Sequence, residues 1–279
     1  MNRFTIAKET TLSGIGLHTG KNSTIILKPS DQGYISFLRK DIPDAEPIKA
    51  HISSIKSTLR GTNMASKNAS VHTVEHLLSA CAALGITDLL VEMDGPEPPL
   101  TDGSSLVFAE HILKAGLKDL GLPAKVLNIN KEITYQEKNM SYVAKPADKL
   151  TFTFIYLRNH PLVSHQEYTF EMSKEGYIKE IAPSRTFGFE EELAFLKANG
   201  LALGGDPQNC VVIFKDKFST PLRFPDEQVR HKILDLIGDF YLAGCNVLNF
   251  RAEIDVKEAG HAVHIKLAKQ LKDKLILEV

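Results

Sequence analysis

Along Val229–Gly244, the apolar residues Val229, Ile233, Leu236, Ile237 and Phe240 recur at helical spacing. That is the pattern of an amphipathic helix with one buried side. Asp226 stands where an N-cap belongs and Gly244 where a helix stops. A second run, Ser70 to Leu84, carries Val71, Val74, Leu77, Leu78 and Cys81 at the same period, with Gly85 behind it. It predicts another, largely apolar helix. Further helices are expected from about Ser105 to Lys118, from Glu190 to Asn199, and from Gly260-His261 to about Leu271. Between them, runs rich in β-branched and aromatic residues predict strands at Thr24–Leu27, Tyr34–Leu38, Asp88–Met93, Val126–Ile133, Ser141–Ala144, Leu150–Leu157, Glu167–Met172, Cys210–Phe214 and Val247–Val256. Strands are grouped rather than strictly alternating with helices, which argues for α+β. Gly121-Leu122-Pro123 is the best linker, dividing the chain into α+β domains 1–122 and 123–279.

Composition narrows the function classes. A chain of 279 residues, 43% of them hydrophobic, can bury a sizeable core. A formal charge of −1 without a long basic run argues against a nucleic-acid partner. Cys81, Cys210 and Cys245 are odd in number and form no C-x-x-C pair, so a reducing, cytoplasmic setting is expected and a cysteine zinc site is not. Neither a signal-peptide core nor an apolar run long enough to span a bilayer is present in the sequence. The glycine-rich stretch Ser13–Lys21 misses the phosphate-loop spacing: three residues rather than four separate Gly16 from Gly20, and Asn22 stands where Ser or Thr should follow Lys21. It reads as a hairpin turn with His18 at its tip.

Three clusters can bear chemistry. His231, Asp235 and Asp239 are spaced four residues apart, so they stack on one helix face. That face is either solvated, with local ion pairs, or half of a metal site awaiting a third ligand. Glu75 and His76 sit inside an apolar helix, where a buried carboxylate is costly unless paired or employed. His261 and His264 make the third cluster. A hydrolytic zinc needs three protein ligands and an open position, and His76, His231 and Asp235 meet that count. Glu75 is then available as base for the water, and His261 as acid for a leaving nitrogen.

The combination Thr73-Val74-Glu75-His76-Leu77, Ser184-Arg185-Thr186-Phe187-Gly188-Phe189, Arg230-His231-Lys232-Ile233-Leu234-Asp235 with Gly238-Asp239, and Gly260-His261 strongly resembles the UDP-3-O-acyl-N-acetylglucosamine deacetylases. These are zinc amidases of lipid A synthesis in Gram-negative bacteria. Ser13–Gly20 and Thr101-Asp102-Gly103-Ser104 match as well, so the resemblance covers essentially the whole chain. It implies two related domains, each a sheet layered on helices, with the active site between them. It implies His76, His231 and Asp235 as ligands of Zn2+, with Fe2+ as an alternative, and Glu75 as base. His261 would be the acid, Asp239 would orient it and keep it charged, and Thr186 would help hold the oxyanion. Lys232 would bind substrate near the diphosphate, His18 would lie at the nucleotide end, and Phe187 and Phe189 would line an acyl passage unless they are plain core aromatics. The implied partner is an acylated UDP-N-acetylglucosamine, handled by a monomer. Ser184 replaces the family's usual alanine and Val107 a common proline. The chain ends soon after its last predicted helix, so a fused dehydratase domain is not expected.

Overall fold

The computed structural model describes residues 1–272 and the backbone of Leu275–Leu277. Six helices lie among these residues: α1 (Glu75–Leu84), α2 (Leu106–Ala115), α3 (Lys174–Gly176, running into a π-helical turn at Tyr177–Ile181), α4 (Glu190–Ala198), α5 (Glu227–Tyr241) and α6 (His261–Lys272). A five-stranded sheet has the order Thr10–Ile15, Asn22–Lys28, Leu89–Met93, Ile35–Arg39, Ile48–Lys49. Its only parallel pair joins Ile35–Arg39 to Leu89–Met93. In the second half a seven-stranded sheet is built around Phe250–Lys257. That strand pairs antiparallel with Met140–Pro146 and parallel with both Thr151–Leu157 and Lys125–Asn128. Its burial alternates as the period of two demands, with Phe250, Ala252, Ile254 and Val256 inside. The fold is α+β, as expected.

Four of the helices pack together, with α2 against the first sheet and α5 and α6 against the second. α1 packs along α5, α2 touches both α1 and the strand Thr10–Ile15, and α6 packs on α5 and on Met140–Pro146. One continuous apolar core therefore includes Leu27 and Phe37 of the first sheet, Leu77 of α1, Ile237 of α5 and Ile254 of the second sheet. All ten residues of α1 are buried. In α5 only Arg230 and Lys232 escape burial, so its His/Asp face is not solvated but turned inward. Gly238 explains the close approach of these two helices. A Cβ there would lie 2.1 Å from the Glu75 carbonyl oxygen, inside any tolerable contact.

Several boundaries depart from expectation, each for a local reason. The helix expected over Ser70–Leu84 begins only at Glu75, because Ser70–Val71 pairs with Met64-Ala65 and Thr73 turns the chain at φ +53°. Gly85 does end it, in the left-handed conformation. Asp226 precedes α5 without capping it: its carboxylate takes the Arg230 guanidinium at 2.6 Å instead. α5 stops at Tyr241, three residues before Gly244. Val247–Asn249 is a 3-10 turn capped by Asn246, which delays the strand to Phe250. The α2 helix ends at Ala115, and Leu117–Pro123, including the expected linker, is a strand antiparallel to Asn2–Ile6. That pairing returns the chain to its start and closes the first half.

Candidate metal centre and active site

Three of the predicted ligands converge where α1 meets α5. His76 and His231 each turn Nε2 toward Oδ1 of Asp235, at 3.7 and 3.4 Å, and one donor atom from each lies within 4.8 Å of the others. A tetrahedral ion about 2.0–2.1 Å from each donor asks for donors roughly 3.3 Å apart, so these spacings fit a shared divalent ion. The side chains are 3–6% exposed. His231 Nδ1 donates to the Ser184 carbonyl at 3.1 Å, which fixes the tautomer and leaves Nε2 free to ligate. The charge states fit too. Burial and the neighbouring His231 push His76 down to about 3, and burial lowers His231. Both imidazoles are thus neutral. Burial works against ionising Asp235, but His231, Lys232, His261 and His76 outweigh it and hold the carboxyl below its usual range. Lys232 Nζ takes the other oxygen of Asp235 at 3.0 Å.

Beside this centre lies a second, differently built group. Glu75 opens α1, with Oε1 3.7 Å from His261 Nε2 and Oε2 accepting the Thr62 N–H at 2.9 Å. Asp239 Oδ2 accepts from Nδ1 of both His261 and His264, at 2.9 and 2.8 Å, and its Oδ1 accepts the Thr62 hydroxyl. These are hydrogen-bond contacts, too short for an ion to sit between the partners. Burial alone would lower His261, but Asp239 and Glu75 raise it to about 10. Glu75 is pushed up to about 8 by burial, with Asp239 and Asp235 adding to the shift and His261 opposing it. Both shifts favour keeping a proton on this group at neutral pH when no dication is near, and a bound divalent ion would bias Glu75 toward the carboxylate.

The groups face a cavity of about 510 Å³. Thr186 lines it, its backbone pinned by Gly103 and Val211 through hydrogen bonds of 2.8 and 2.9 Å. Phe187 stands at the wall, edge-on to His231 at 6.1 Å between centroids and 5.3 Å beneath the Lys232 ammonium. Phe189 borders the same cavity but is 4% exposed, packed with Val163, Val211 and Ile213 under the Arg158 guanidinium. It is mostly a core aromatic. His18 reaches the cavity from the hairpin, yet both its nitrogens are engaged. Nδ1 accepts from the Ala202 N–H at 3.3 Å and Nε2 donates to the Arg60 carbonyl at 2.8 Å. Lys232 also lines the cavity, while one of its N–H groups holds Asp235.

Residues that the spacing arguments passed over hold this assembly. Thr62, fully buried, bonds Glu75 through its N–H and Asp239 through its hydroxyl. Glu97 accepts from the N–H groups of His18 and Thr19 and from the Thr73 hydroxyl, tying the hairpin to the turn before α1. Glu227, first residue of α5, accepts Nε and Nη2 of Arg185 at 2.8 and 3.1 Å and the Arg185 N–H at 3.0 Å. That clamp sets Ser184 against His231. Only Glu227 carried a local signal, an acid in the first turn of a helix. The Ser184 side chain turns to the Ile181 carbonyl, away from the centre.

Comparison with known proteins agrees with the geometry. Residues 3–273 match the family model described as LpxC: UDP-3-O-acyl N-acetylglycosamine deacetylase. A protein of Geobacter sp. (strain M21) named UDP-3-O-acyl-N-acetylglucosamine deacetylase is 40% identical over 96% of this chain and 88% of its own. Proteins of the same name from Thermodesulfovibrio yellowstonii and Nautilia profundicola are each 37% identical. They cover 96% and 100% of this chain and 90% and 94% of their own. Matched from end to end by that family and its relatives, the chain belongs to the UDP-3-O-acyl-N-acetylglucosamine deacetylases, hydrolases that act on an amide.

Proposed function

We propose that this chain removes the acetyl group of UDP-3-O-acyl-N-acetylglucosamine, yielding acetate and the free amine for lipid A biosynthesis, and that it uses a divalent metal, zinc before iron(II). The observation that carries the reading is the convergence of the His76, His231 and Asp235 donors at one end of the cavity, with Glu75 and His261 flanking them. Bound there, the metal would lower the pKa of a water toward neutrality and polarise the amide carbonyl. Two nitrogens and a carboxylate oxygen suit zinc and would also accept iron(II).

The chain's own residues would then act in sequence. Glu75 would take the proton of the attacking water. Thr186 would donate its hydroxyl to the oxygen that becomes negative, a contribution of about 3 kcal/mol for one such donor. His261, charged through Asp239, would give the Nε2 proton to the departing amine and make it a competent leaving group. Lys232 would meet the negatively charged part of the substrate while it steadies Asp235. His18 would shape the nucleotide end through the loops it joins, and Phe187, with Phe189 behind it, would bound the acyl passage. We also propose that residues 1–122 and 123–279 are the two domains, the enzyme working as a monomer. The return of Leu117–Pro123 to Asn2–Ile6 supports that division. A cytoplasmic setting accords with three free cysteines. No helix among the described residues is long and apolar enough to cross a membrane.

The test is a deacetylation assay on UDP-sugars carrying acyl chains of graded length, before and after chelation. Loss of turnover on chelation, recovery with zinc, and poor turnover of a substrate without the 3-O-acyl chain are expected. A rate indifferent to both chelator and acyl chain would overturn the reading.

A further inference from the structure

His264 lies outside the roles so far assigned, although it is among the most completely enclosed polar side chains near the site, 1% exposed. It follows His261 by three residues on α6, so the two rings rise from one face of that helix, centroids 6.0 Å apart. Both direct Nδ1 at the same oxygen, Oδ2 of Asp239. The His264 and Phe154 rings pack edge to face with centroids 6.3 Å apart, and Nε2 is buried without a partner among the described residues. A ring with one nitrogen bonded and the other sealed in apolar surroundings is held neutral with its proton on Nδ1, since a second N–H would have no acceptor. An apolar side chain would fill that space without leaving a nitrogen unpaired. What histidine adds is one fixed N–H aimed at one carboxylate oxygen.

We propose that His264 is a positioning residue for His261: with Thr62 it clamps the Asp239 carboxylate from both oxygens, so that Oδ2 stays in the plane of the His261 ring through the proton transfer. Asp239 is free to rotate about its Cβ–Cγ bond unless its two oxygens are held differently. Thr62 holds Oδ1. On Oδ2 the other donor, His261, borders the cavity, is 15% exposed and is the group that must give up and regain a proton. His264 takes no part in that exchange and keeps the oxygen in place while His261 turns over.

The role rests on the deacetylase reading above, and the experiment separates the two. Steady-state kinetics of the zinc-loaded protein on UDP-3-O-acyl-N-acetylglucosamine would be compared for wild type, His264→Leu, His264→Asn and His264→Gln. The Asn amide nitrogen stands as many bonds from Cα as Nδ1 does, whereas that of Gln stands one bond further. His264→Leu should lower kcat roughly 10–100-fold, the range found when a group behind a site residue is removed. KM should stay within about twofold, as for a group that acts only in the transition state. His264→Asn should restore most of kcat and His264→Gln should not. In an Asp239→Ala background His264→Leu should cost little more, because both act through one carboxylate. A merely structural histidine would give equal losses with Asn and Leu, or losses that add in full to Asp239→Ala; either result, or unchanged kcat in His264→Leu, overturns the proposal. In the metal-free protein, a downfield Nδ1–H resonance from His264 should vanish in Asp239→Ala. That readout stands even if wild type fails to deacetylate this substrate, which would overturn the reaction and not the clamp.

Discussion

At the scale of single residues, the site depends on neutral and charged groups being kept apart by their surroundings. His76 and His231 are held in the neutral form by burial, and Asp235 stays charged against its own burial because the Lys232 and His261 cations lie near it. Glu75 and His261 sit 3.7 Å apart with pKa values moved toward the basic side. Glu75→Ala and His261→Ala should each slow deacetylation by about 10²–10⁴-fold, the usual worth of a general base or acid. Folding, followed by circular dichroism, and bound metal, followed by elemental analysis, should be largely retained, since neither side chain is one of the three convergent donors. Near-normal rates for both variants would remove the acid–base assignment. Residue types and local spacing were enough to single out the three donors that converge. They could not find Thr62, whose hydroxyl meets Asp239 across 177 positions of chain; nothing in its neighbourhood marks a threonine for that contact.

Among elements, the decisive contact is α1 against α5. Helical periodicity revealed both helices and the apolar stripe of each, but it could not say whether the polar stripe of α5 meets water or protein. The answer lies in Gly238, which lets the backbone of α1 approach closely enough for His76 to join His231 and Asp235. Gly238→Ala should therefore destabilise the protein by about 1–3 kcal/mol, as overpacking does, and weaken metal binding at the same time. Thermal melts and a competition titration with a chromophoric zinc chelator would read the two effects, and unchanged values of both would contradict the argument. The Arg185–Glu227 clamp belongs to the same scale. Its side chains are 5% and 1% exposed, so Glu227→Ala should cost about 3–5 kcal/mol by stranding a buried guanidinium. Chemical denaturation would measure it. The start of α1 illustrates the limit of periodicity. Val71 and Val74 continue the apolar pattern, yet Thr73 breaks the helix by turning to bond Glu97.

For the whole molecule, metal binding and pH should be linked to stability. An ion held by the folded triad and by no comparable site in the unfolded chain must raise the melting temperature. Zinc should do so in wild type and not in His231→Ala, as calorimetry would show. Without metal, the His261 cation is favoured by the fold: its pKa rises from about 6.5 in an unfolded chain to about 10 in the folded one. The folded state then binds the extra proton between those values, so the stability from His261 is complete below about pH 6.5 and lost as pH climbs through about 10. The metal-free protein should melt at progressively lower temperature from about pH 7 to pH 10, and His261→Ala should flatten that decline. A slope unchanged by the substitution would place the effect elsewhere.

The α+β class, most of the helices and strands, and the three donors that converge were legible in the chain itself, with Glu75 and His261 as candidates beside them, because each depends on a local period or on a residue type whose burial would otherwise be costly. Tertiary packing alone decided the rest. It brought the two halves of the centre together, engaged both nitrogens of His18 and turned Phe189 into the core. It also set Thr62 and His264 on one carboxylate. The physical reason is that hydrogen bonds and side-chain contacts form between neighbours in space, and for a chain whose two largest sheets pack with helices in one continuous core those neighbours are mostly distant in sequence.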